Sequence, residues 1–527
     1  MIDHTFSFET QLSHATWPGD SVFTSASPYA GSPLVATALQ GLDCYPSDVS
    51  RSRPQEEQGV DGNSAQLAPH LPVAVRKQYR AKVGELLAAF RAIPSGAPVR
   101  LAKQTSNLFR VRAGSAGPGL NVADFDGVLA VDVAARTADV LGMTTYEHLV
   151  AATLPHGLMP LVVPQLKTIT LGGAVTGLGI ESTSFHAGLP HESVREMDIL
   201  TGAGEVVTAR PDNEHADLFF GFPNSYGTLG YALRLTIDLA PVAAYVELEH
   251  VRFHNAEEMA GAVAQIASTG SYAGRVVDFC DGTVFTPGQI YLTLGRWAEE
   301  APYVSDYTGN RIYYKSIATK RRDYLTASDY IWRWDTDWFW CSGGIGAQNR
   351  WVRPLIPRRY LRSDTYFKIV NFARRHGLVR RWDELRRKPA REYVIQDIEV
   401  PVNRLAEFLD FFHSEVGILP VWLCPLRQRD PSRQWDLYVM SPDAVYVNVG
   451  FWASVELADG AVEGDVNRAI ELEVERLGGR KSLYSSSYYP VEEFWSIYNG
   501  EAYASLKGRY DPDSRLLDLY AKCVVGR

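Results

Sequence analysis

The stretch PQLKTITLGGAVTGLGIESTSFHAGLPH, residues 164–191, decides how the rest of the chain is read. Five glycines, Gly172, Gly173, Gly177, Gly179 and Gly188, fall within 17 residues. Lacking a Cβ, they let the backbone come close to a ligand and take φ values that other residues avoid. Thr168, Thr170, Thr176, Ser182, Thr183 and Ser184 add hydroxyls, and Glu181 adds a lone acid. Loops of this kind hold phosphates or a flat cofactor. A glycine-rich surface turn is the competing reading, since neither a GG pair nor a lone G-x-G is specific. Against it, ITLGGAVTGLGI is apolar between its glycines, as backbone against an apolar ring requires, whereas a solvent-facing loop carries more charge.

The chain of 527 residues is too long for one core, and 46% apolar residues suffice to build two or three. No run approaches the roughly 18 consecutive apolar residues of a membrane span, and MIDHTFSFETQ lacks the features of a signal peptide. Five widely spaced cysteines without C-x-x-C spacing point to neither disulfides nor a metal site. A reduced, cytoplasmic setting is expected. Arginine outnumbers lysine 41 to 11, a bias of GC-rich bacterial genomes. Residues 311–391 hold 20 Lys or Arg against 7 Asp or Glu in a chain of net charge −9, which suggests an anionic partner there, a solvated face being the alternative.

Along the chain, residues 1–70 are rich in Ser, Pro, Gly and Asp and are expected to be poorly organised. A helix starts after Pro72, with Val75, Tyr79, Val83, Leu86, Leu87 and Phe90 on one stripe. The strand-like PVRLA leads into Lys103, Gln104, Thr105, Ser106 and Asn107, a polar run suited to a pyrophosphate if its N–H groups form a nest. FDGVLAVDVAARTADVLG reads as two strands, TTYEHLVAATLPHGL as a helix capped by Thr144 or Thr145, and SVREMDILTGAGEVVTARP as a hairpin. GAGEVV lacks the third glycine and the helix of a dinucleotide fingerprint.

The polar loop KQTSN after a strand, GLMPLVVP, TITLGGAVTGLGIES and DLFFGFPNSYGTLGYALRLTIDL together resemble the FAD-binding domain of the vanillyl-alcohol oxidase (PCMH) type flavoproteins. Within that superfamily the G-x-G-I-E-S-x-S and G-T-L-G runs, VWLCP (421–425) and YYPVEEFW (488–495) are similar to delta-24 sterol reductases and their bacterial lipid-reducing relatives. The resemblance covers roughly residues 75–527. It implies an α+β fold: a two-subdomain FAD-binding domain at 71–240, a substrate or cap domain of antiparallel sheet and helices at 241–479, and a segment, 480–527, returning to the flavin. It places the FAD diphosphate against Lys103, Gln104, Thr105, Ser106 and Asn107 and against Thr168, Thr170, Leu171, Gly172 and Gly173. The flavin ring then lies near Thr176, Gly177, Gly179, Ile180, Glu181, Ser182 and Ser184, and near Gly227, Thr228 and Leu229. With no His or Cys in KQTSNLF, where some members tether flavin, FAD is expected to be non-covalent.

The implied activity is reduction of an isolated C=C bond of a lipid, either a sterol side chain or a methylene-branched fatty acyl chain, with NAD(P)H as reductant. Glu181 is read as a hydrogen-bond anchor or part of a proton path. Lys481 is read as a stabiliser of reduced flavin, and Tyr484, Tyr488 and Tyr489 as proton donors, with ordinary aromatic packing as the rival reading. An alcohol or sugar oxidase or dehydrogenase of the same fold and a non-catalytic lipid-binding protein remain as alternatives. In the second domain VELEHVRF, QIYLTLGRW, REYVIQDIEVP and WDLYVM read as strands, and NRLAEFLDFFHSEV and DVNRAIELEVERLGG as helices. SDYIWRWDTDWFWC (328–341) reads as core packing or as an apolar pocket for a lipid tail. For the basic region after it, peripheral contact with the inner, anionic face of a membrane suits a lipid-handling enzyme better than nucleic acid, for which no motif is present.

Overall fold

The structure, a computed structural model, describes residues 67–103, 109–110, 119–376 and 389–526. Residues 1–66 of the segment expected to be poorly organised, and Gln104, Thr105, Ser106 and Asn107 of the polar loop, lie outside the described residues. Leu67, Ala68 and Leu71 are buried, so the folded unit starts a few residues before the expected boundary.

Helix α1 (Val73–Arg91) follows Pro72 and buries Tyr79, Val83, Leu86, Leu87 and Phe90, the stripe that its apolar period dictates. A short parallel pair, β1 (Leu101–Ala102) and β2 (Leu120–Asn121), flanks the polar loop. Next come the hairpin β3 (Val128–Asp132) and β4 (Thr137–Leu141), helix α2 (Tyr146–Thr153) and β5 (Leu158–Pro160). Thr145 caps α2 by accepting from the His148 N–H, whereas Thr144 is turned inward onto Gly127. Helices α3 (Leu171–Gly177) and α4 (Ser184–Ala187) follow, then the hairpin β6 (Val194–Leu200) and β7 (Val206–Ala209), α5 (Ala216–Gly221) and β8 (Tyr231–Pro241). The strands build an antiparallel sheet of order β3-β4-β8-β6-β7, with β5 on the far end of β8.

The second sheet has eight strands, in the order β14-β9-β13-β12-β16-β17-β15-β18. They are β9 (Tyr245–Phe253), β12 (Phe279–Thr286), β13 (Gln289–Ala298), β14 (Arg322–Thr326), β15 (Arg391–Pro401), β16 (Val421–Leu426), β17 (Tyr446–Glu456) and β18 (Arg480–Lys481), with a small hairpin, β10 (Ser271–Tyr272) and β11 (Arg275–Val276), beside them. Helix α6 (Ala256–Thr269), capped by Asn255, α7 (Tyr313–Ile317), α8 (Ala327–Ile331), α9 (Ser363–Arg375), α10 (Leu405–Phe411) and α11 (Asp465–Arg476) complete this part.

WDLYVM, residues 435–440, is not a strand but a turn-rich crossing segment. It is held by the first domain, whose Asn224 side chain donates to the Leu437 carbonyl and whose Phe219 ring meets Trp435, and those contacts outweigh its β propensity. The final helices α12 (Val491–Ile497), α13 (Gly500–Tyr510) and α14 (Leu519–Cys523) pack Phe494, Tyr503, Leu506, Tyr510 and Leu519 into the same core as Phe219, Phe222, Leu235 and Ile237. The chain's last segment thus completes the first domain.

Candidate active site

Period-two alternation gives the eight-stranded sheet two unlike faces. On one, Val394, Ile398, Val400, Leu423, Val447, Val449 and Phe451 form a core with α6, α10 and, through Ile470 and Val474, α11. On the other, register aligns three polar rows. Asp397 pairs with Gly450, Gly450 with Trp422, and Trp422 with Thr283. Glu399, Asn448 and Cys424 form the next row, and Asp281, Thr293 and His250 the third. Directly paired residues share a face, so all of these project away from the helices. That face meets the first domain, where the Cys280 N–H donates to the Ser182 carbonyl at 2.8 Å and the Arg427 N–H to that of Ser184 at 3.2 Å.

Two acid clusters stand on the polar face. In the first, Arg333 Nη2 lies 3.0 Å from Glu181 Oε1 and 2.8 Å from Asp281 Oδ2, all three side chains being buried. The Ser182 hydroxyl donates to Glu181 Oε1 at 2.6 Å and lies 2.9 Å from the Tyr330 hydroxyl. Trp334 Nε1 donates to Asp281 at 3.1 Å, and the guanidinium lies 4.0 Å above the Tyr330 ring. One cation serves two carboxylates, and burial pushes the Glu181 carboxyl above its usual range in spite of Arg333. Glu181 Oε2, Asp281 Oδ1 and Arg333 Nε are buried without a hydrogen-bond partner among the described residues.

In the second cluster, Asp397 accepts from Asn448 Nδ2 at 3.2 Å, and Glu399 is bonded to the Tyr438 hydroxyl. Among the described residues neither acid has a cation beside it. Burial raises Asp397 to about 6 and Glu399 to about 8, with the Asp397 charge adding to the latter shift. At neutral pH Glu399 therefore holds a proton in a dry setting, a state suited to giving one up. Gly450 keeps this spot open, since a Cβ there would stand 2.5 Å from Asp397 Oδ1.

The aromatic stretch 328–341 lies over the polar face. Trp334 stacks on Phe339 at 4.9 Å, Phe339 meets Trp452 at 4.5 Å, and both pack with Trp422, Tyr291 and Phe279. Trp338 and Phe339 hold φ of +46° and +58°, a left-handed pair that bulky residues take only when their surroundings impose it.

The glycine-rich stretch is less open than its composition suggests. Residues 171–177 form α3, with Thr170 capping it by accepting from the Gly173 N–H. The Leu171 N–H donates to Thr144 O and that of Gly172 to Gly142 O, both at 2.9 Å, so the first three amides of the helix already have protein acceptors. The N–H groups of Leu171, Gly172 and Gly173 therefore do not form an open cradle of amides. Gly172 is small because α3 starts on the backbone of Gly142, where a Cβ would come within 2.7 Å of the carbonyl. Thr176 bonds back to the Gly172 carbonyl, Gly179 sits against Pro164 and Pro190, and Ile180 is half-buried. The Ser184 hydroxyl accepts from the Glu181 N–H. Thr168 is half-buried, and Lys103 is exposed at the edge of the polar loop. Gly227 turns the chain at φ +75°, but Thr228 and Leu229 are buried in the first domain, the Thr228 hydroxyl donating to Ser225 O.

Gly177 links the glycine stretch to the rest of the site. Its carbonyl accepts from the Tyr226 hydroxyl at 2.9 Å, the Arg110 guanidinium lies 4.9 Å from the Tyr226 ring, and Arg110 Nη1 donates to the Leu483 carbonyl at 2.7 Å. The Phe109 N–H donates to Tyr484 O, and the Tyr484 hydroxyl accepts from Trp452 on the polar face. The end of the polar loop, the glycine stretch and the C-terminal segment therefore converge beside Asp397.

Three expected catalytic residues lie elsewhere. Lys481 pairs with Ile398, so it is on the helix-covered face, fully buried, with its ammonium 2.6 Å from Glu471 of α11 and bonded to Ser486 O. Tyr488 packs over Gly464 at the start of α11, and its N–H donates to Glu471. Tyr489 is buried against Phe494 and Tyr498. The structure does not bring these three to Glu181, whereas Tyr484 reaches the polar face through Trp452. Sequence reasoning passed over Asp281, Arg333, Asp397, Glu399, Tyr438 and Asn448. The signal was there: acids at alternate positions of DIEV (397–400), flanked by buried apolar residues, mark a strand covered on both faces.

Residues 80–210 match the FAD binding domain family. The chain is 25% identical over 454 residues to the Delta(24)-sterol reductase of Arabidopsis thaliana, covering 77% of each chain. It is 26% identical over 415 residues to the Delta(24)-sterol reductase of Homo sapiens, covering 76% of this chain and 77% of that one. With cytokinin dehydrogenase 7 of Oryza sativa subsp. japonica it shares 25% identity over 461 residues, or 82% and 83% of the two chains. The residues fit the cofactor: Arg110 Nε, both amide atoms of Gln165 and Asn448 Oδ1 are buried without protein partners among the described residues, donors and acceptors such as a diphosphate and a ring with carbonyl and N–H groups would meet. The chain is an FAD-binding flavoprotein of the PCMH type, an oxidoreductase similar over about three quarters of its length to delta(24)-sterol reductases.

Proposed function

We propose that this oxidoreductase reduces an isolated C=C bond in a lipid, either a sterol side chain or a methylene-branched fatty acyl chain. The observation that carries the reading is the match across 77% of this chain and of a protein named Delta(24)-sterol reductase. Arg110, Gln165, Lys103 and Thr168 would hold the cofactor, with the polar loop outside the described residues contributing as the resemblance implies. Bound FAD, once reduced, supplies the hydride for one carbon of the double bond. The protein's part is to supply the proton for the other carbon. Glu399 holds that proton under the Tyr438 hydroxyl, and the neighbouring Asp397 charge favours its return after each turnover. Arg333 fixes Glu181 and Asp281 in place, and the cover of Trp334, Phe339 and Trp452 keeps water from the polar face.

NAD(P)H is the proposed reductant. Anaerobic bleaching of the flavin by NADPH, followed by reoxidation with an unsaturated lipid and not with its saturated product, tests the reading. Bleaching by an alcohol or amine substrate instead would support a dehydrogenase, the second reading, which the likeness to cytokinin dehydrogenase 7 favours. A peripheral position at the cytoplasmic face of a membrane suits either lipid substrate.

A further inference from the structure

Exposed large apolar side chains are unevenly distributed over the molecule. Of the eighteen among the described residues, Ile345, Trp351, Val352, Leu355, Tyr360, Ile369 and Phe372 fall within residues 345–372. Trp351, Leu355 and Phe372 are 72%, 80% and 60% exposed. Solvent contact at so many large apolar groups is costly unless a partner covers them. They belong to one surface, because loop 345–361 and α9 share a buried cluster of Ala347, Leu361, Tyr366 and Phe367, with Ile356 and Val370 packed against it. Helix α9 turns Phe367 inward and leaves Ile369 and Phe372, one turn apart, outward.

The charged groups around this surface are mostly basic, but Arg353 is buried on Asp337, and Arg358, Arg362 and Lys368 pair with Asp306, Glu147 and Asp364, which leaves Arg350 and Arg359. Residues 342–372 contain six Lys or Arg and one Asp. Arg350 stacks on Trp351 at 4.8 Å and Arg359 on Tyr360 at 4.9 Å, and among the described residues neither has an ion-pair partner. Exposed aromatic and aliphatic tips flanked by two arginines that stack on them match an interface with an apolar interior and an anionic surface. A soluble protein partner could supply the apolar part, but Arg350 and Arg359, both set beside exposed rings and without an acid among the described residues, favour anionic headgroups.

We propose that loop 345–361 and the outer face of α9 form a docking surface for an anionic lipid bilayer. The surface backs onto the polar sheet face. Phe109 packs against Phe367 and Trp338, each at 5.8 Å, and against Tyr484 at 6.0 Å, so a seam of packed rings joins the docking surface to Tyr484. Docking itself is independent of the reaction proposed above, because bilayer binding needs no turnover.

The test is co-sedimentation of the full-length, FAD-loaded protein with phosphatidylcholine vesicles, with and without phosphatidylglycerol. The expected result is binding only to the anionic vesicles, weakened about tenfold in Trp351→Ser/Leu355→Ser/Phe372→Ser, with Arg350→Ser/Arg359→Ser losing the salt-sensitive part. Leu355→Asp changes a single exposed side chain and serves if the triple variant does not fold. Unchanged vesicle binding in Leu355→Asp and in the arginine pair overturns the proposal. A wild-type dimer that Leu355→Asp converts to monomer, with vesicle binding absent in both, also overturns it and makes the surface a self-interface.

Discussion

The two faces of the eight-stranded sheet are built by the same strands, yet in its middle strands, β12, β16, β17 and β15, they treat buried charge in opposite ways. On the helix-covered face each buried ion found is compensated: Lys481 by Glu471, and Glu392 by the Val466 and Asn467 N–H groups and the Asn467 amide. On the polar face Asp397 and Glu399 have, among the described residues, neutral partners alone, and one guanidinium is divided between Glu181 and Asp281. A compensated ion holds elements together and has no reason to exchange its proton. An acid kept neutral by burial is a cost to folding that can be drawn on when a proton is needed.

The largest expected effect breaks the compensated face. Lys481→Met leaves Glu471 buried with Arg468 3.6 Å away and the Tyr488 N–H as its remaining partners, and should lower stability by about 3 kcal/mol in urea denaturation. Flavin reoxidation by substrate, per FAD-bearing molecule, should be unchanged. A selective loss of that rate would return Lys481 to the chemistry.

The polar face predicts a pH dependence of the opposite kind. Because folding raises the Glu399 carboxyl from 4.5 to about 8, the folded protein binds more protons than the unfolded chain between these values. Stability should therefore fall as pH rises from 5 to 8, on the order of 3 kcal/mol, and the slope should flatten in Glu399→Gln. Thermal melts across that range would decide it, and a slope kept in the variant would locate the proton elsewhere.

Glu399→Gln should also cut the rate of flavin reoxidation by unsaturated lipid by about 10²-fold, equivalent to about 2.7 kcal/mol in the barrier, with little loss of stability. Glu181→Gln separates anchor from proton path. As an anchor released from Arg333, it should lower stability and leave the pH profile of reoxidation in place, whereas a proton-path residue would shift the profile.

The smallest effect is a control in the first domain. Thr170→Ala removes the cap of α3 and should cost about 1 kcal/mol with FAD affinity retained, since its hydroxyl serves the Gly173 N–H. A large fall in FAD affinity would restore the diphosphate to this helix end.

Local pattern was enough for much of the molecule. The stripe of α1, the paired strands 128–141 and 194–209, and REYVIQDIEVP as a strand all follow from apolar period and turn residues, because those signals act over a few residues. The resemblance carried by TITLGGAVTGLGIES pointed to FAD, and Glu181 stood out as the acid in that stretch. What sequence alone left undecided was side and partner. Lys481 and Asp397 lie 84 positions apart in the chain but on adjacent strands and opposite faces, a difference that only the pairing register of β15 with β18 and β17 settles. Likewise Arg333 reaches Glu181 across 152 positions, and the first amides of α3 are taken by carbonyls of the β4–α2 connection. The sequence by itself determined most of the strands and helices and, through the resemblance, the cofactor class; the tertiary structure turned 435–440 into a crossing segment and 171–177 into a helix, and decided which acids are buried away from a cation, because desolvation depends on what covers a group and not on its neighbours in the chain.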